Sequence, residues 1–68
     1  MKRSLLVAGH ATSVALEPEF WTALEAMAER RAVPVSGLIA EIDATRAGRP
    51  LASACRVAAL RFAENRDD

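Results

Sequence analysis

Residues His10 to Leu16 alternate between two kinds of side chain: Thr12, Val14 and Leu16 fall on one side, Ala11, Ser13 and Ala15 on the other. The run passes directly into Glu17-Pro18-Glu19-Phe20 and then into helical periodicity. Such alternation marks a half-buried strand, and no other segment carries it as clearly. A solitary strand leaves backbone donors and acceptors that must be paired somewhere. With no second strand in view, the economical partner is the same strand from a second chain, giving an antiparallel ribbon across a two-fold axis. A ribbon of that shape fits the major groove of DNA.

Chain length points the same way. Sixty-eight residues hide too little apolar surface to offset chain entropy comfortably, so small domains recruit disulfides, metals or a partner subunit. One cysteine and one histidine exclude an internal disulfide and a structural zinc site. Oligomerisation is left, and an apolar content of 51% suits an obligate dimer. Nine basic and nine acidic residues cancel, so the whole chain is not a polycation that adheres to nucleic acid. The charges are segregated instead: Lys2 and Arg3 precede Glu17, the stretch from Glu17 to Glu29 is acidic, and Arg46 to Arg61 is purely basic. The apolar run Leu5 to Ala8 is too short for a secretory signal, and no stretch reaches transmembrane length. The expectation is a cytoplasmic protein with one reduced thiol and no membrane partner.

The larger apolar pair of the strand, Val14 and Leu16, should face inward, leaving Ala11, Ser13 and Ala15 outward. Gly9 reads as a bulge or bend that separates an N-terminal arm, 1–9, from the strand, 10–16. Pro18 suits a first helical position, opening helix A over 18–31. Its stripe is Phe20, Ala23, Leu24, Met27 and Arg31, with Trp21 and Ala28 at the edge. Pro34 disfavours helical geometry at Val33 and starts helix B over 34–47, where Val35, Leu38, Ile39 and Ile42 recur at helical spacing. Helix C, 51–64, places Leu51, Ala54, Cys55, Ala58 and Phe62 on one face, with Leu60 opposite and Val57 well off it. Cys55 therefore reads as an inert buried thiol, and Trp21 as a ring covering the core. No nucleophile, base and acid converge in a recognisable motif, and no glycine-rich phosphate loop follows a strand. The chain does not read as an enzyme, and no cofactor, metal site or small-molecule substrate is indicated.

The order strand, helix, turn, helix, with Lys2-Arg3-Ser4, Ala8-Gly9-His10, Thr12-Ser13-Val14, Leu16-Glu17-Pro18-Glu19-Phe20-Trp21 and Leu38-Ile39-Ala40-Glu41-Ile42-Asp43, resembles the ribbon-helix-helix DNA-binding family. Leu51, Ser53-Ala54 and Arg56-Val57 extend the likeness to its small bacterial members with an added C-terminal helix. The resemblance implies a mainly α fold with one β-strand per chain. It implies an intertwined homodimer with an intermolecular antiparallel two-stranded ribbon, and a third helix closing or extending the core. It implies that Ala11, Ser13 and Ala15 face base edges and that Val35 and Ser36 offer backbone N–H groups to a phosphate. Lys2 and Arg3 would add non-specific attraction, and Val14, Leu16, Phe20, Leu24, Leu38, Ile39 and Ile42 would form the dimer core.

The expected function is a transcriptional regulator bound to double-stranded DNA as a homodimer or a higher oligomer built from it. The alternative is a ribbon-helix-helix dimer that serves as a protein-interaction or assembly module with weak or no DNA binding. Alanine can touch a thymine methyl but cannot hydrogen-bond a base, so the two outward alanines, zero net charge and the off-stripe Val57 and Leu60 favour that alternative.

Overall fold

A hairpin opens the chain. In the computed structural model of the protein, which describes residues 1–65, β1 (Lys2–Val7) and β2 (His10–Ala15) pair antiparallel, with Val7 opposite His10 and Lys2 opposite Ala15. Residues 1–9 are thus not an arm, and 10–16 is not a lone strand awaiting a second chain: one edge of β2 is satisfied within its own molecule. Gly9 belongs to a two-residue turn, not a bulge. Ala8 and Gly9 both have positive φ, 53° and 84°, the conformation that lets a two-residue turn follow the right-handed twist of its strands. The fold contains two strands per chain where the sequence reading expects one.

Three helices follow: α1 (Pro18–Arg30), α2 (Val35–Ala44) and α3 (Leu51–Asn65). Pro18 opens α1 after Glu17 in extended geometry. Its end is closed by Ala32 at φ 57°, with the Val33 amide donating to Ala28 O and the Ala32 amide to Glu29 O, both at 3.0 Å. This paired closure satisfies carbonyls that a helix end leaves bare. α2 stops at Ala44, earlier than its apolar spacing suggests, because Thr45 leaves helical geometry and Ala47 and Gly48 take φ of 54° and 88°.

The buried core joins all five elements: Val7, Val14, Leu16, Trp21, Leu24, Ala28, Leu38, Ile39, Cys55 and Ala59. α2 packs beneath β1 and α3 beneath β2, while α1 meets both other helices. The centre of the α1 face is Trp21, Leu24 and Ala28, rotated from the expected stripe, and Phe20, Ala23 and Met27 lie at its margin. Trp21 is anchored on this side, its indole N–H donating to Met1 O at 2.8 Å. One chain closes this core by itself. Its accessible surface of 4396 Å² is near the roughly 4,200 Å² of a folded monomer of this mass, and its radius of gyration of 11.2 Å is near the roughly 11 Å of a globule of this length.

Candidate nucleic-acid interface

The backbone pattern of the hairpin decides which groups face out. The Leu16 amide donates to Met1 O at 3.0 Å, and the Met1 ammonium donates to Leu16 O at 2.7 Å. Hydrogen-bonded pairs alternate along an antiparallel ladder, so Arg3/Val14, Leu5/Thr12 and Val7/His10 bond across it. The other set, Lys2, Ser4 and Leu6 with Ala11, Ser13 and Ala15, turns its amides and carbonyls to the two outer edges. The same six side chains stand on the face away from the helices, and all are exposed.

That face is small and almost neutral. Lys2 is its one charge, Ser4 Oγ and Ser13 Oγ lie 3.4 Å apart, and Leu6 is 69% exposed. Ala11, Ser13 and Ala15 share it with Lys2. Arg3 does not. It lies on the inward parity opposite Val14, 4.4 Å over the Trp21 ring, with a nitrogen 2.7 Å from Glu25 Oε2. A guanidinium held by both a carboxylate and a ring face has little charge left to offer a phosphate. His10 is exposed beside the turn.

Val35 and Ser36 form the first turn of α2, both half-buried. The cap is Pro34, which supplies no side-chain hydrogen bond, and no acidic residue neutralises that turn. The first ladder bond is Leu38 N to Pro34 O at 3.0 Å, which leaves the amides of Val35, Ser36 and Gly37 ahead of it at the positive end of the helix dipole.

Of the residues assigned to a dimer core, Val14, Leu16, Leu24, Leu38 and Ile39 are buried within the single chain, and Phe20 and Ile42 are partly covered. Ser4 and Leu6 are the outward residues that the sequence reading missed. The signal was present in the alternation of Lys2, Ser4 and Leu6 against Arg3, Leu5 and Val7, ending at Ala8-Gly9. Elsewhere, Arg56 braces the α1 entrance, its Nε 3.0 Å from Glu17 Oε1. The Glu17 backbone amide and then that guanidinium hold the Glu17 carboxyl below the usual carboxylate range. Burial pushes the Cys55 thiol up, against a smaller opposing pull from Arg56.

A two-stranded ribbon of small side chains thus leads into three helices, the second of which opens without a side-chain cap. The chain belongs to the ribbon-helix-helix domain family, whose profile matches residues 1–63. That family is in general one of dimeric DNA-binding regulators without enzymatic activity. No curated protein and no solved structure matches the chain. Among the described residues no helix is long and apolar enough to cross a membrane.

Proposed function

We propose that the protein is a homodimeric transcriptional regulator of the bacterial cytoplasm whose β2 strands pair across a two-fold axis and enter the DNA major groove. The observation that carries this reading is the open edge of β2. Its outward amides and carbonyls at Ala11, Ser13 and Ala15 have no partner among the described residues, in a chain whose family is dimeric. An antiparallel pair centred on Ser13 sets Ala11 against Ala15 of the other chain and turns both unpaired edges into a ladder.

The resulting sheet runs β1, β2, then the second chain's β2 and β1. At about 4.8 Å per strand the two outer strands stand roughly 14 Å apart, wider than the major groove at about 12 Å. The β2 pair fits between the groove walls, and each β1 lies over a flanking backbone, where Lys2 meets phosphates. Val35 and Ser36 offer amides to a further phosphate. Ser13, between alanines, reads bases permissively, so affinity comes mainly from the backbone.

Fluorescence anisotropy with random-sequence duplex DNA at several salt concentrations tests this. The dimer carries one such lysine per chain, so log K should fall against log salt with a slope of about −2, and Lys2→Ala should flatten it. Absence of binding at low salt contradicts the proposal. That result favours a second reading, an assembly module, which draws on Leu6: a large apolar side chain 69% exposed on a face with one charge suits protein better than phosphate.

A further inference from the structure

The cations of this chain are unevenly used. Arg3, Arg31, Arg46 and Arg56 hold carboxylates, and Arg30 lies over Phe62. Lys2, Arg49 and Arg61 have no such partner among the described residues. Two of these three border one groove, of about 270 Å³, between the end of α2 and the outer side of α3.

Its lining joins the apolar Ile42, Val57 and Ala58 to Arg46, Arg49 and Arg61. Arg46 is a brace: its Nε donates to Asp43 Oδ1 at 2.6 Å and an Nη donates to Arg49 O at 2.8 Å. That pairing uses up Asp43, so the groove retains the two charges of Arg49 and Arg61.

We infer that this groove is a docking site for an acidic amphipathic helix of a partner protein, its apolar stripe on Ile42, Val57 and Ala58 and its carboxylates against Arg49 and Arg61. Charge complementarity selects that occupant. Guanidinium groups recognise carboxylates in a paired geometry, and an open trough between two helices suits a helix laid along it. A nucleic-acid backbone would satisfy the arginines but give the Ile42, Val57 and Ala58 side chains no apolar partner. The groove also lies at the far end of α2, a helix of 10 residues and so roughly 15 Å long, from the amides assigned to DNA phosphate. No strand residue lines it, so this inference stands or falls separately from DNA binding.

The test is titration of the isotope-labelled full chain, followed by amide NMR, with a synthetic helical peptide whose leucine stripe is flanked by glutamates. Shifts should centre on Ile42, Val57, Ala58 and Arg61. The double variant Arg49→Glu, Arg61→Glu should weaken binding about tenfold or more with its thermal midpoint unchanged, since both side chains are exposed. A glutamine-for-glutamate peptide should bind as weakly as the variant does. The inference is overturned by absence of shifts, by shifts centred elsewhere, or by equal affinity in the charge-reversed protein. It is overturned also if duplex DNA moves the same amides and displaces the peptide.

Discussion

Three alanines, Ala8, Ala32 and Ala47, sit at φ between 53° and 57°, where a Cβ crowds the backbone and glycine is the usual occupant. Two of them make the fold: Ala8 turns the hairpin and Ala32 ends α1. Glycine at 32 relieves the strain but loosens the unfolded chain, so Ala32→Gly should stabilise by about 0.5–1 kcal/mol, a rise of about 4 °C in thermal midpoint for a domain of this size. Unchanged or lowered stability by calorimetry would show that the left-handed alanine is not strained.

Cys55 gives a second result at this scale. It is fully buried and its thiol is pushed up by that burial, so the folded state favours the neutral form. Because the folded value lies above the unfolded one, the contribution to stability is complete below the unfolded pKa. It is lost as pH rises through the folded pKa. Cys55 should resist a thiol reagent at neutral pH and react at the rate of global unfolding. Fast labelling of the native protein contradicts the burial.

Among the elements, the helices were the most legible in the sequence. Pro18, Pro34 and Pro50 punctuate them, and the spacing of Leu38 and Ile39 or of Ala54 and Cys55 identifies their inner faces. What escaped was β1. Leu5-Leu6-Val7-Ala8 reads as an unbroken apolar run because Leu6 sits on the solvent side of a strand that an amphipathic pattern would make polar. Ala8-Gly9 lacks the Asn or Asp that usually announces a two-residue turn. Trp21 misled in a different way: its indole N–H finds Met1 O, a tertiary partner that helical periodicity cannot register. The strand register of β2 itself was readable, since Val14 and Leu16 are each 2% exposed. Val14→Asp or Leu16→Asp therefore buries an unpaired charge costing several kcal/mol, enough to unfold a domain of this size. Native circular dichroism and elution volume in either variant would refute the register.

On the scale of the whole molecule, hairpin and α3 bury Trp21, Leu24, Leu38, Ile39 and Cys55 within one chain, so burial of these residues is not by itself evidence for a twin. The case for a dimer rests instead on the open edge of β2 and on the family. A single chain that is already folded makes association a docking of finished surfaces, with dissociation leaving a folded monomer, unlike an intertwined pair that must unfold to separate. Dilution followed by light scattering and circular dichroism together should accordingly show loss of mass without loss of helicity. Simultaneous loss of both would show that the chains do intertwine.

The pairing of β2 with its counterpart is accessible to one direct measurement. Two Ser13 residues meeting on the two-fold axis as a hydrogen-bonded pair have Cα atoms about 5.5 Å apart, within reach of a disulfide. Ser13→Cys in a Cys55→Ser background should cross-link into a covalent dimer on mild oxidation, far faster than Thr22→Cys on the exposed side of α1. A Ser13→Cys protein that stays monomeric, or cross-links no faster than that control, contradicts the account.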